Sequence, residues 1–217
     1  MHRRCLICRS PLGSQEQKIC GACLVQLPFI RRYDFYDNLS CRLLWGRMRV
    51  ERAFSCMAYR HDDFSHQLLI KLKYDHHPEL GRWLGCMMAR DLLLQGFFNE
   101  IDAIVPIPLH WLRKLRRGYN QSRELALGIS KATGLPVLSG VVRRVRNNPS
   151  QTTQTASQRM ENVENVFQAR SGLTYRHILL VDDVLTTGAT MSACAQAICE
   201  LNPDVRISVF TLARAID

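Results

Sequence analysis

The sharpest chemical pattern in the 217-residue sequence lies between residues 178 and 190, where an apolar run leads into two carboxylates, Asp182 and Asp183. A turn of small and hydroxyl-bearing residues follows, namely Thr186, Thr187, Gly188 and Thr190. Such a turn lets backbone N–H groups approach a phosphate closely, and a following helix adds the positive end of its dipole. The segment therefore predicts a site for a phosphorylated sugar whose hydroxyls, or their Mg²⁺, lie against the carboxylates. An ordinary helix cap is the structural alternative, and the glycine spacing fits neither a Walker A loop nor a GxGxxG fingerprint.

Four of the nine cysteines form two CxxC pairs, Cys5 with Cys8 and Cys20 with Cys23. Four thiolates at this spacing can meet tetrahedrally around Zn²⁺. Because so short a segment has no apolar core of its own, metal binding would supply its folding free energy. The pattern predicts a structural zinc site, with an iron–sulfur cluster or a redox-active dithiol pair as alternatives. The other cysteines have no ligand spacing and are expected to be small buried side chains.

The chain has a formal charge of +10, from 29 Lys and Arg against 19 Asp and Glu. Residues 1–60 contain 11 of the basic and 4 of the acidic side chains. Two later clusters contain Arg113, Lys114, Arg116 and Arg117, then Arg143, Arg144 and Arg146. A surplus of this size favours an anionic partner, which could be a phosphorylated metabolite, a nucleic acid or a membrane surface.

Apolar periodicity predicts strands that alternate with helices. Strands are expected at 49–59, 101–106, 137–138, 141–145, 177–182 and 206–213, and helices at 64–74, 80–98, 121–133 and 188–201. This alternation is typical of an α/β fold with a parallel sheet flanked by helices, in which ligands bind beyond the carboxyl ends of the strands. We expect residues 1–45 to form the zinc module and its connector, and residues 46–217 to form the main domain.

The sequence also predicts where the protein resides. It shows no signal peptide and no stretch approaching the roughly 18 apolar residues of a membrane span, so we expect no membrane insertion. Cysteine pairs of metal type favour a reducing cytoplasm over a disulfide framework.

The segment 178–190 resembles the signature of type I phosphoribosyltransferases, in which an apolar run and two acids precede Thr-Thr-Gly-Ala-Thr. With the CxxC pairs, it makes the whole chain resemble the ComF family, which includes the GntX-type proteins. Further matches are Lys73 with Tyr74; residues 105–110 with Arg113, Arg116, Arg117, Gly118, Tyr119, Asn120 and Gln121; and Arg144, Arg146, Gln151, Arg159, Asn162 and Phe167. The sequence departs from the family pattern at 75–77, where a glycine is usual, and at Gln154, where leucine is common.

The resemblance implies a type I phosphoribosyltransferase fold, with residues 46–100 as a hood that binds the acceptor and residues 101–217 as the core. It implies that Asp182 and Asp183 contact the ribose hydroxyls of phosphoribosyl pyrophosphate. The implied 5-phosphate loop comprises Val184, Leu185, Thr186, Thr187, Gly188, Ala189 and Thr190.

Two more loops have counterparts in that fold. A pyrophosphate loop would comprise Pro108, His110, Arg113, Gly118, Asn120 and Gln121, while Arg116 and Arg117 with Mg²⁺ would stabilise charge during catalysis. A flexible loop that closes over the site would contain Arg146, Gln151, Arg159 and Asn162. The alternatives are a solvated basic face for the arginines, a helix cap for Asn120 and Gln121, and a plain linker for the last segment.

The sequence is compatible with three functions. The first is transfer of a phosphoribosyl group to an unidentified acceptor. The second is a non-catalytic adaptor that holds single-stranded DNA, since one branch of the ComF family is tied to DNA uptake in natural competence; a DNA-translocating helicase would then be a partner. The third is a sensor that binds the metabolite without turnover. Trp111 is the best candidate for base stacking, whereas His61, His66, His76 and His77 are expected to be surface residues.

Overall fold

The structure is a computed structural model that describes residues 3–61, 63–75, 77–145 and 166–216. The strands in these ranges are β1 (Ala53–Tyr59), β2 (Ala103–Pro106), β3 (Val142–Arg144), β4 (Phe167–Ala169), β5 (His177–Leu185) and β6 (Arg206–Ala215). The helices are α1 (Gly21–Val25), α2 (Leu39–Leu44), α3 (Phe64–Tyr74), α4 (Pro78–Leu94), α5 (Trp111–Arg117), α6 (Gln121–Thr133) and α7 (Ala189–Leu201). Within the same ranges, no helix combines the length and the apolar character needed to cross a membrane.

Four strands form one parallel sheet in the order β1-β6-β5-β2, which confirms the predicted parallel α/β architecture. The central strand β5 begins with a continuous apolar run, and residues 178–181 are completely buried. Strand β3 pairs with β4 in a separate antiparallel ribbon. Because all four main strands run in one direction, their carboxyl ends meet at a single edge of the sheet.

The two faces of the sheet have separate apolar cores. Alternate residues of a strand point to opposite faces, so Leu179 packs with Leu84 of α4 and Leu125 of α6, whereas Leu180 packs with Ile198 of α7. Helices therefore cover both faces of the sheet, as its continuous apolar strands require.

Helices α4 and α6 approach each other at glycines. A Cβ atom at Gly85 would lie 2.2 Å from the carbonyl oxygen of Leu125, and one at Gly128 would lie 2.1 Å from that of Arg82. Glycine inside a helix usually weakens it, but here it permits backbone-to-backbone packing that no other residue allows. The close contact fixes the position of α6 against α4.

The observed elements refine the predicted boundaries. The helices predicted at 64–74 and 121–133 are confirmed, whereas the helix predicted at 80–98 begins with Pro78 in its first turn and ends at Leu94. The strand predicted at 49–59 is shorter and begins at Ala53, and the 137–138 strand is reduced to a single bridge between Ile104 and Val137. Helix α5 was not predicted, because its basic sequence lacks an apolar face and it buries none of its residues.

The amino-terminal unit packs directly on the main domain. The apolar side chains of Leu6, Ile7, Leu12 and Leu24 contact the core formed by α4, α6 and the sheet. Strand β1 lies within the 46–100 range expected to form the hood, and it is hydrogen-bonded to β6 as an edge strand of the main sheet.

Candidate functional site

A cavity of about 470 Å³ opens at the carboxyl ends of the parallel strands. Side chains that follow β1, β2 and β5 line it, together with residues of α3, α5 and the start of α6. The lining residues include Tyr59, His61, His66, Ile70, Lys73, Tyr74, Arg113, Arg117, Gln121, Ser122, Arg144, Asp182, Asp183, Thr186 and Thr190. The fold thus brings the predicted carboxylates, two of the threonines and three arginines to one cavity.

Asp182 lies in the second half of β5, and one oxygen of its carboxylate accepts two hydrogen bonds. The hydroxyl of Ser122 donates to its Oδ1 at 2.7 Å, and the backbone N–H of Asp183 donates to the same atom at 2.9 Å. Burial, and secondly the adjacent Asp183 carboxylate, raise the pKa of Asp182 to about 7. The protein therefore holds a carboxyl here that changes charge near neutral pH, a property common at functional sites.

Asp183 has a cationic partner in α3. The Nζ atom of Lys73 lies 3.4 Å from its Oδ2, and both side chains are largely buried. Sequence analysis noted Lys73 only as part of a Lys-Tyr motif; the structure places it on the second carboxylate. Because the pair is shielded from solvent, its attraction is screened less than that of a surface ion pair.

The turn after β5 has the shape expected of an anion-binding loop. Gly188 has a φ of +78°, a left-handed conformation that favours glycine, and it caps the amino end of the 13-residue helix α7. Thr186 and Thr190 line the cavity, and the hydroxyl of Thr187 accepts the N–H of Ala189 at 3.4 Å. The first turn of α7 thus begins at the edge of the cavity, and the first N–H groups of a helix can bind an anion.

The basic helix α5 begins with its own cap and faces the cavity with one side. The Nδ1 atom of the buried His110 accepts the N–H of Leu112 at 3.3 Å, and burial followed by repulsion from Arg144 and Arg113 lowers the pKa of His110. Arg113 and Arg117 line the cavity, whereas Arg116 is exposed. The helix therefore presents two of its arginines to a ligand and holds a neutral imidazole behind them.

Asn120 and Gln121 have different roles at the start of α6. The side-chain oxygen of Asn120 accepts the N–H of Ser122 at 3.0 Å, which caps the helix, and its amide donates to the carbonyl of Ile107 at 2.9 Å. Gln121 lies in the cavity wall, where its Oε1 accepts from Nη1 of Arg117 at 3.1 Å. Within the described ranges its buried Nε2 has no hydrogen-bond partner. The capping alternative thus applies to Asn120, while Gln121 helps to orient Arg117.

Arg144 closes the wall of the cavity from the β3–β4 ribbon. Its guanidinium lies 5.5 Å from the centre of the Phe167 ring, and burial lowers its pKa. The residues predicted to form a closing loop lie outside the described residues; they are Arg146, Gln151, Arg159 and Asn162.

Sequence reasoning missed several cavity residues. His61 and His66, expected to be plain surface residues, line the cavity together with Tyr59. Ser122 was also missed, although it donates to Asp182. The helical spacing of His66, Ile70 and Lys73 was a usable signal, since residues four and seven positions apart share one face of a helix.

The four cysteines of the CxxC pairs come together in the amino-terminal unit. Their Sγ atoms all lie within 4.8 Å of one another, and those of Cys8 and Cys20 are 3.6 Å apart. Zn–S bonds of about 2.3 Å in a tetrahedron require S···S separations of roughly 3.8 Å. The N–H of Cys20 also donates to Sγ of Cys5 at 3.3 Å, a contact that stabilises a thiolate. The donor set and spacing fit a tetrahedral metal.

Ion pairs join this cysteine unit to the helices next to the cavity. Lys18 lies 3.6 Å from Glu79 at the start of α4, and Arg9 lies 4.0 Å from Asp75 at the end of α3. Asp75 follows Tyr74, which lines the cavity. The cysteine cluster and the cavity therefore share the α3–α4 turn as a common support.

Comparison with known proteins identifies several to which the chain is similar. The family model described as Phosphoribosyl transferase domain matches residues 87–216. Competence protein F of Haemophilus influenzae is 27% identical, with 98% of this chain and 97% of that protein covered. DNA utilization protein YhgH of Salmonella typhimurium is 28% identical, with the same coverage of 98% and 97%. Among solved structures, glutamine phosphoribosylpyrophosphate (PRPP) amidotransferase from B. subtilis, complexed with ADP and GMP, has a TM-score of 0.41 and 19% identity over 66% of this chain and 30% of that chain.

The environment of Asp182 predicts an unusual pH dependence of stability. Its pKa is about 7 in the folded protein and close to 3.9 in an unfolded chain. Between roughly pH 4 and pH 7 the folded state retains a proton that the unfolded state has lost, so this carboxyl lowers the free energy of unfolding as pH rises. Urea unfolding can be measured at about pH 5 and at about pH 8. The free energy of unfolding of Asp182→Asn, relative to that of the wild type, should be higher at pH 8 than at pH 5.

The exposed Asp204 offers a matched control, and Asp204→Asn should follow the wild type at both pH values. If the difference in stability between Asp182→Asn and the wild type is the same at both pH values, the buried carboxyl does not titrate in this range.

Proposed function

Because the chain belongs to the ComF family of proteins with a phosphoribosyl transferase domain, we propose that its cavity binds phosphoribosyl pyrophosphate with Mg²⁺ and transfers the phosphoribosyl group. One observation carries the proposal: Asp182, Asp183 and the threonine turn share a cavity with Arg113 and Arg117. Carboxylates suit sugar hydroxyls or a hard cation, and the turn and the arginines suit phosphates. The site thus matches a ligand that carries phosphates on both sides of a ribose.

The arrangement assigns a task to each group. The turn at 186–190 would bind the 5-phosphate, and Asp182 and Asp183 would orient the ribose. When C1 is transferred, its bond to the pyrophosphate oxygen breaks and the electron pair leaves with pyrophosphate, while an acceptor atom bonds C1 and releases its proton. Arg113 and Arg117 would stabilise the charge that grows on pyrophosphate.

Carboxylate oxygens are ligands that Mg²⁺ prefers, and Asp182 and Asp183 are the residues that would hold it. When bound, the ion would supply further positive charge to the phosphate oxygens. Lys73 now occupies this position on Asp183, and it would turn toward the ligand once the carboxylate is engaged.

Binding itself is directly testable. Phosphoribosyl pyrophosphate with Mg²⁺ should raise the melting temperature by mass action, because it binds only the folded state. Asp183→Ala and Thr187→Ala should each weaken the shift, since they remove a carboxylate and a hydroxyl of the site. Asp204→Ala, an exposed carboxylate just before β6 and so at the other edge of the sheet, is the control and should keep it.

Calorimetry gives the decisive negative result: no heat of binding at millimolar ligand would rule out the proposed site. Release of pyrophosphate with a panel of bases and amines would then separate a transferase from a sensor that only binds.

We also propose that the four cysteines bind one structural Zn²⁺, as their spacing and converging sulfur atoms favour. Elemental analysis should find about one zinc per chain. Cys20→Ser should lose it and unfold the amino-terminal unit, since metal binding supplies its folding free energy. Cys86→Ser, a partly exposed cysteine outside the cluster, should keep the metal. A metal-free protein whose amino-terminal unit is fully folded by NMR would refute the zinc site.

A second function, binding of single-stranded DNA in the cytoplasm during DNA uptake, is favoured by helix α5. Its Trp111 and Leu115 are 64% and 77% exposed beside the basic side chains Arg113, Lys114, Arg116 and Arg117. Exposed aromatic and basic residues side by side are typical of surfaces that stack bases and neutralise phosphates. The names of two relatives, Competence protein F and DNA utilization protein YhgH, also favour a role with DNA.

DNA binding should weaken as salt rises, by roughly 0.7 log units of affinity per log unit of salt for each phosphate contacted. Replacing Arg113, Arg116 and Arg117 together should reduce both the affinity and this slope, while Trp111→Ala should reduce affinity with the slope unchanged. If the triple variant loses metabolite binding but keeps its DNA affinity and slope, the DNA surface lies elsewhere. If no DNA binds even at low salt, the second function is excluded.

A further inference from the structure

A second pocket, of about 320 Å³, lies between α2, the chain that joins α1 to α2, and the strands β1 and β6. No described residue lines both this pocket and the larger cavity, so the two are separate. Its lining contains three arginines, two aspartates and two serines. The volume lies within the range of pockets that hold small molecules.

The pocket contains an arginine that has no acidic partner. Arg214, near the end of β6, is partly buried, and its Nη1 donates to the backbone carbonyl of Ala215 at 3.3 Å. None of the ion pairs among the described residues includes Arg214, and burial alone lowers its pKa. Because a guanidinium stays charged at neutral pH, its burial without a counter-ion costs free energy. The side chain is therefore suited to bind an anion from outside the chain.

The two aspartates of the pocket already have partners. Asp37 accepts from Nε of Arg42 at 2.7 Å and from its Nη2 at 3.2 Å. The Oδ1 atom of Asp34 accepts the backbone N–H groups of Tyr36 and Asp37 at 3.1 Å and 2.9 Å. Three arginines against two aspartates give the lining a formal charge of +1. The pocket thus attracts an anion and has no unengaged aspartate to pair with Arg214.

A row of buried hydroxyls adds a hydrogen-bond donor. The Oγ atoms of Ser40 and Ser55 lie 2.8 Å apart, and Oγ of Ser55 lies 2.7 Å from Oγ1 of Thr211. These two hydrogen bonds use two of the three hydroxyl protons, and the described residues provide no acceptor for the third. Ser40 and Ser55 line the pocket. The row can therefore direct its remaining proton, from Ser40, toward an anion, and each bond along the row then strengthens the next.

The rest of the lining is apolar. Ile30, Leu39 and Phe54 contribute aliphatic and aromatic surface beside the arginines. A guanidinium suits the two-oxygen geometry of a carboxylate or a phosphate. The lining as a whole therefore matches a small molecule that carries one such group on an apolar body.

We propose that this pocket binds a small organic anion: Arg214 and Ser40 hold its carboxylate or phosphate group, and its apolar part packs on Phe54. The site does not depend on the proposed phosphoribosyl site, although the two are neighbours. Arg214 is the register partner of Leu185, the residue that precedes the threonine turn. The anion thus binds one strand away from the turn, in a pocket of its own.

Titration of the wild-type protein, followed by NMR, tests the site directly. Benzoate and phenyl phosphate carry the two acidic groups on the same flat apolar body, and benzamide is their neutral analogue. At least one anion should shift the backbone amide signals of Ser40, Ser55 and Arg214. Benzamide should bind about tenfold or more weakly, because it cannot form charge-assisted hydrogen bonds with the guanidinium. The stronger of the two anions identifies the group that the site prefers.

Variants then test the part played by the arginine. Arg214→Met should weaken binding of the preferred anion about tenfold or more, and it should fold because no ion pair depends on this side chain. Arg214→Lys keeps the charge without the planar guanidinium and should lose less affinity. Arg206→Met is the matched control: Arg206 lies on the same strand but pairs with Glu100 at 3.2 Å outside the pocket, so this variant should bind the anion as the wild type does.

The contrary outcomes are clear. If neither anion shifts these signals at millimolar concentration, or if the shifts are confined to the turn at 186–190, the second site is refuted. It is equally refuted if Arg214→Met binds the anion as tightly as the wild type. Binding of phosphoribosyl pyrophosphate is measured separately, so these results leave the proposed function standing.

Discussion

Two adjacent carboxylates held in the second half of the central strand, directly after its completely buried apolar run, are the constraint on which the site depends. Burial and mutual repulsion both oppose the charge of Asp182. The compensating contacts come from separate elements, with Ser122 at the start of α6 and Lys73 near the end of α3. The contacts that stabilise the two carboxylates therefore also hold α3 and α6 in place around the cavity.

The packing of α4 against α6 makes this arrangement rigid. Glycines at 85 and 128 let the two helix backbones touch, so α6 cannot slide without a clash. The hydroxyl of Tyr119, just before α6, donates to the carbonyl of Leu72 in α3, which ties the two walls of the cavity together. The close packing of the two helix backbones thus determines where Ser122 and Gln121 lie in the wall of the cavity.

The sequence predicted the features that lie within a short stretch of chain, but it did not predict those whose position depends on the order of the strands. The carboxylates, the threonine turn and the cysteine pairs could be found because each lies within a few residues of chain. The ring cluster of Tyr59, His61 and His66 could not, since its place in the cavity follows from β1 pairing with β6. The close approach of α4 to α6 could not be predicted either, because the role of Gly85 appears only when α6 packs against it.

The turn proposed to bind phosphate packs against residues outside the phosphoribosyl transferase domain. A Cβ atom at Gly188 would lie 3.1 Å from the Leu44 side chain and 3.3 Å from the carbonyl of Leu43, so the end of α2 packs directly behind the turn. Helix α2 belongs to the connector that follows the cysteine cluster, and the buried Ser40 at its start hydrogen-bonds Ser55 of β1 at 2.8 Å. One short connector thus contacts both the turn at the end of β5 and the strand that ends at the ring cluster. The amino-terminal segment therefore packs behind the turn and against β1, and it supports both of them structurally.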